Sequence, residues 1–251
     1  MKKIILLLTL FTSLGFTATP AQVEQYLSVS NAEEELISLE REFSAMQNSF
    51  SQDTNSSTYD MQMLTLRFKE YLQKHLSDNE MDEILANYKN IILLQFVSAS
   101  SQVQNDDLNE SDAYIKKLMA DPQSNVRIGL IEKIRDKFYS KEALVLMFDD
   151  LMKPLIQKGI GGDKINQELL KNSKENYIKM MTNAAKKELL YTSKDFTIEE
   201  LEALLKIAKT PATEHESKAV FGGMAYALKE FFMSLANRYD VSKHQSQQTK
   251  H

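Results

Sequence analysis

Four histidines, thirty-five carboxylates and no cysteine make up most of what this chain could use for chemistry. Without cysteine there is no thiolate nucleophile, disulfide, iron–sulfur cluster or cysteine zinc site. His244 and His251 fall in a polar C-terminal stretch, and no H-E-x-x-H joins the others. His215 and Glu216 are adjacent, and neighbours at i and i+1 do not share a helix face. His75 ends a helical pattern, where a cation suits the dipole. There is no G-x-S-x-G to mark a nucleophilic serine. Acidic pairs such as Glu199-Glu200 and Asp149-Asp150 read as solvated helix faces, which lack the burial that tunes an acid–base pair. Gly159-Ile160-Gly161-Gly162 resembles a phosphate cradle in composition, but no Lys-Ser/Thr follows it. It reads as a helix end followed by an Asp163 cap. No catalytic, cofactor-binding or metal residues are assigned, and the chain is read as non-enzymatic.

The strongest signals are structural. Thr197 and Glu200 have the spacing of a capping box, in which each side chain satisfies a backbone N–H left free at the helix start. Phe196 and Leu201 bracket it as a hydrophobic staple, and Thr210-Pro211 closes the helix. The same device occurs 120 positions earlier, with Ser77 and Glu80 as the box and Leu76 and Met81 as the staple. At a different offset Glu24, Glu34, Leu36 and Phe43 match Glu132, Glu142, Leu144 and Leu151. These matches predict an all-α bundle or array of two related halves, residues 22–120 and 123–239. Seven glycines and four prolines in 251 residues supply too few turns for an all-β fold.

Lys2-Lys3, an apolar run from Ile4 to Phe16 and small residues to Ala21 read as a signal peptide over residues 1–21. Cleavage is expected after Ala18 or Ala21, with Ala21 favoured by Thr19 three places before the bond. The run is too short to span a bilayer as a helix, and no later segment is apolar for long enough. The expected location is periplasmic, or secreted. Net charge is −5, and basic and acidic residues are interspersed, so no positive face for nucleic acid is expected.

Asn31 with Glu34 reads as another N-terminal cap, ahead of a stripe of Leu36, Leu39, Phe43 and Met46. Ser51 to Thr58 reads as an exposed loop, and residues 240–251 as a disordered tail. Ile91 to Val97 is apolar enough to predict burial on all sides, as a helix rather than a strand. The twelve methionines suit either a pliable binding surface or the filling of gaps between helices. Gly222-Gly223 predicts either the close approach of a neighbour or a kink.

The phrase Phe196-Thr197-x-Glu199-Glu200-Leu201-x-Ala203-Leu204, followed by Thr210-Pro211, resembles the recurrent motif of an exported, all-helical bacterial family of unknown function. The resemblance covers about a quarter of the chain. It departs at Thr210-Pro211-Ala212-Thr213, which lacks the family's glycine, and at Lys206-Ile207-Ala208, which lacks its aromatic residue. It implies export and a helical fold and carries no catalytic residues.

These readings lead to an expected scaffold or chaperone-like protein that binds another envelope protein. Phe221, Met224, Leu228 and Phe231 of the last helix are the candidate partner surface. The alternative is a carrier that holds a lipid or other apolar small ligand between the halves. No cofactor is expected. Leu201→Asp removes a staple and buries an unpaired charge, so it should rank among the most destabilising substitutions by thermal melting. A melting temperature equal to the parent's would place Leu201 on the surface.

Overall fold

The computed structural model describes residues 17–50, 62–103, 108–159 and 167–238. The leader's apolar run, the loop from Ser51 to Thr58, the Asp163 cap and the tail from residue 240 lie outside the described residues.

Every element among the described residues is helical, as the patterning predicts. The first four are α1 (Pro20–Val29), α2 (Ala32–Phe50), α3 (Gln62–His75) and α4 (Asp78–Asn87). Next come α5 (Ile91–Val103), α6 (Leu108–Ala120), α7 (Asn125–Phe138) and α8 (Lys141–Met147). A π-helical segment, Phe148–Met152, leads into α9 (Lys153–Gly159). Pro154 offers no N–H to the carbonyl of Asp150 and its ring crowds that turn, so the wider π turn sits where an α-helix would be strained. The last three are α10 (Gln167–Thr192), α11 (Ile198–Ala208) and α12 (Pro211–Arg238).

Both predicted capping boxes form. Ser77 Oγ accepts the Glu80 N–H and Thr197 Oγ1 that of Glu200, while each glutamate accepts the cap residue's own N–H. The staple residues Leu76, Met81, Phe196 and Leu201 are all buried. A third box, Thr19 with Gln22, starts α1 inside the stretch assigned to the leader. Thr17 pairs with Ser77 in an isolated β-bridge, the Ala18 N–H donates to the Leu76 carbonyl at 2.9 Å, and Ala18 is buried. A processing cut after Ala21 would therefore remove the cap of α1 and a core residue, whereas a cut ahead of Thr17 spares both. Thr17 and Ala18, assigned to the leader, are thus packed with the helices that follow.

The helices enclose two hydrophobic cores, and neither follows the proposed division at residues 120–123. The first contains Leu27 of α1, Phe68 and Leu72 of α3, Met81 and Ile84 of α4, and Phe231 of α12. The second contains Leu93 and Phe96 of α5, Ile131 and Ile134 of α7, Leu190 of α10 and Leu204 of α11. The C-terminal helix thus completes the N-terminal core, and α5 completes the other. Hydrophobic patterning fixes which face of a helix is apolar, not which partner covers it.

This exchange also corrects the candidate partner surface. Phe231 and Leu228 are 1% and 5% exposed, Met224 packs against the first core, and half-buried Phe221 stacks edge-on with Tyr139 at 5.8 Å. The stripe is apolar because it is core. Conversely, α5 is not buried on all sides, since Ile91 is 64% and Leu94 37% exposed. Among the methionines, Met81 is buried and Met147 and Met152 pack against the first core, while Met180 is exposed.

Gly222 and Gly223 serve close approach. A Cβ on Gly223 would lie 2.9 Å from ring carbons of buried Phe68, and one on Gly222 would lie 2.2 Å from Tyr71 Oη. Nothing lies within 4 Å of a Cβ placed on Gly129. Gly129→Ala should therefore stabilise by about 0.5–1 kcal/mol through helix propensity. Gly223→Ala should destabilise, because overpacking costs about 1–3 kcal/mol and outweighs that gain. Chemical denaturation of both variants checks the opposite signs.

Candidate functional site

A cavity of about 280 Å³ opens on the seam between the two cores, at the small end of the range for small-molecule sites. Leu93 and Phe96 of α5 and Leu189 of α10 bring the second core to its wall. Tyr26 of α1 and Val220 of α12 bring the first. Tyr88, at the C-terminal cap of α4, packs against both cores.

Glu216 of α12 supplies the charge that dominates this wall. The hydroxyls of Tyr26 and Tyr88 both donate to its Oε1, at 3.0 and 2.5 Å, and the two rings meet edge to face at 5.8 Å. No further hydrogen bond or ion pair joins Glu216, so its Oε2 accepts no bond from the described residues. Desolvation pushes the Glu216 carboxyl above the ordinary carboxylate range, and the two tyrosine hydrogen bonds offset only part of that. Burial together with the Glu216 charge pushes both tyrosine hydroxyls well up, so they stay protonated as donors.

A second carboxylate, Glu188 of α10, stands at the exposed rim, where Tyr139 donates to its Oε2 at 3.3 Å. The surrounding protein pushes its carboxyl upward as well, an effect that water at the rim moderates. Glu35 lines the same rim. Between α1 and α2, Asn31 adopts a left-handed φ of 61°, which asparagine tolerates better than most residues. Its Nδ2 donates to Ser101 Oγ at 2.7 Å, tying this link to α5 along the cavity wall. The predicted Asn31–Glu34 cap does not form, because an N-cap needs an extended backbone and Asn31 sits at a left-handed φ.

The sequence-predicted residues map only partly onto this site. Phe221 lines the cavity; Met224, Leu228 and Phe231 do not. The described histidines have structural settings: His75 stacks on Tyr71 at 3.7 Å, and His215 Nδ1 lies 3.4 Å from Glu80 Oε1. Among the described residues no group of three or more His, Asp or Glu is placed to hold a metal ion. Sequence reasoning passed over Glu216 as a neighbour of His215. A usable signal was present, since Ala212, Glu216, Ala219 and Gly223 recur at intervals of four, three and four, placing an acid on the small-residue stripe of α12. Nothing local distinguished Glu188, or the tyrosines that reach these acids.

No known protein family, curated protein or solved structure matches this chain.

The raised Glu216 carboxyl gives a stability signature with a definite sign. A carboxyl whose folded pKa exceeds its unfolded value supports the fold fully below the unfolded value, near 4.5, and loses that contribution as pH rises through the folded value. Glu216→Gln keeps an acceptor for both tyrosines and removes the titration. The melting temperature of the variant relative to the parent should therefore climb between pH 4.5 and pH 8. A constant difference across that range would show that Glu216 is not desolvated.

Proposed function

We propose that this chain is a helical binding protein of the bacterial envelope that holds a small molecule in the cavity between its two cores. The observation that carries the reading is the placement of Glu216, a carboxylate set into the seam with one oxygen committed to two tyrosines and the other open to whatever enters. Structural packing gives little reason for a charge there, because a desolvated carboxylate costs the fold more than a neutral side chain. A ligand that supplies the missing donors makes such an arrangement favourable.

The small volume and the Glu–Tyr lining suit a compact, partly polar ligand better than a lipid chain. Recruitment of another envelope protein is less well supported, since the residues assigned to that task pack in or against the first core or line the cavity. Export remains part of the proposal through the leader assigned to residues 1–21, of which Thr17 and Ala18 pack against the segment ahead of α4. Two ancestrally related halves also belong to it. On that reading α5 and α12, which follow the two capped helices, have exchanged cores, and the cavity lies between the exchanged segments.

Native mass spectrometry of protein purified gently from its own envelope tests the binding role. The parent should carry a bound small molecule, and Ser100→Trp, which fills the cavity from α5, should lose it with its helical content intact. A parent with no adduct, and with no gain in melting temperature across a metabolite panel, would remove the proposal. Saturation at about a hundredfold excess over Kd should stabilise by about 2.7 kcal/mol.

A further inference from the structure

We infer that the cavity takes a compact organic cation, an amine whose ammonium pairs with Glu216 and whose apolar body lies among the rings of the seam. The inference rests on the cavity being a ligand site and names the chemistry that site selects.

Most of the hydroxyl protons on the cavity wall are already committed within the protein. Both tyrosine protons facing Glu216 are spent on Oε1, and Tyr139 spends its own on Glu188 Oε2. The Asn31 amide is engaged with Ser101 Oγ, whose proton goes on to the Val97 carbonyl at 3.1 Å. Ser217 Oγ donates to the Phe138 carbonyl at 2.9 Å. Glu216 and Glu188 each keep one oxygen to which the described residues donate nothing, so a ligand that brings donors complements them.

The charge is also uncompensated where it would be easiest to compensate. Carboxylates on the outer faces meet lysines, as in Glu24–Lys69 at 2.9 Å, Asp149–Lys174 at 2.7 Å and Glu132–Lys186 at 2.5 Å. Among the described residues no Lys, Arg or His pairs with Glu216 or Glu188. A carboxylate in a partly desolvated site gains most from a mobile cation that can share it, and charge-assisted hydrogen bonds are the stronger kind. Phe96, Phe138 and Phe221 add rings to the wall, and ring faces attract ammonium groups as well as covering apolar carbon. An anionic ligand would meet Glu35, Glu188 and Glu216 together. The net charge of −5 favours the approach of cations over anions.

Isothermal titration of the full chain with 2-phenylethylamine, 2-phenylethanol and phenylacetate tests this. These probes share a ring and differ in charge. The amine should bind at least tenfold more tightly than the alcohol, and phenylacetate should bind least. Glu216→Gln should weaken the amine tenfold or more and leave the alcohol unchanged, with an unaltered circular dichroism spectrum. Ser100→Trp should abolish binding of all three. Equal affinity for amine and alcohol, or an amine affinity untouched by Glu216→Gln, would overturn the cation while leaving the cavity as a site for neutral ligands. If none of the probes binds but the purified protein carries an adduct that Ser100→Trp removes, the cation falls and the binding role stands. Absence of both would remove the two together.

Discussion

The packing of α12 against α3 is the contact on which the rest of this structure depends. Two glycines make it possible, because Phe68 and the ring of Tyr71 occupy space that any larger residue at 223 or 222 would fill. Close approach lets Phe231 and Leu228 enter a core built mostly from the first four helices, with Leu151 of the π-helical segment. It also brings Glu216 to Tyr26 and Tyr88, residues 190 and 128 positions away along the chain. The last helix is therefore both a wall of the first core and the carrier of the charge at the seam.

A two-core arrangement has a consequence for polar atoms. Each core is closed by apolar side chains, so what lies between them is a boundary where helix ends and connections gather. Tyr88 stands just beyond α4, Tyr139 just beyond α7, and Asn31 in the link from α1 to α2. Residues at such ends have fewer neighbours of their own helix and can turn side chains into a common space. The result is a cavity with aromatic walls and two carboxylates, Glu188 and Glu216, that pair with no Lys, Arg or His among the described residues. Desolvation opposes the charge on Glu216 more than two hydroxyl donors favour it. This imbalance distinguishes the cavity from the surface ion pairs elsewhere on the molecule.

The helix starts show how local chemistry becomes tertiary contact. A capping box contributes about 1 kcal/mol to its own helix. Here the caps also join elements. Gln22, which completes the box of α1, donates through Nε2 to the Asp78 carbonyl and to Asp82 Oδ1 of α4. The carbonyl of Leu76, just ahead of α4, takes the Ala18 N–H, and that of Phe196, just ahead of α11, takes the Arg127 guanidinium at 2.5 Å. The two capped helices are thus each clamped by a donor from an earlier segment, in different cores. The donors differ, a backbone N–H in one case and a long cationic side chain in the other, so the sequence pattern of the capped helix alone does not reveal the clamp.

The sequence by itself determined the helices and several of their ends. Caps, staples, prolines and a 3.6-residue apolar period act within a few positions, and the residues that satisfy them are neighbours in the chain. That is why Ser77, Thr197 and the stripe of α11 were legible. The same locality misled at Asn31, whose left-handed φ is not that of a helix cap, and at Ile91, an apolar residue left 64% exposed. Tertiary structure alone decided that α12 closes the first core, that α5 joins the second, and that Glu216 faces a cavity rather than water. Apolar burial is non-directional, so a stripe specifies that it will be covered without specifying by what. Which helices meet depends on fit across the whole chain, as in the space that Gly223 leaves for Phe68, and a site built on that meeting becomes visible only once the helices are packed.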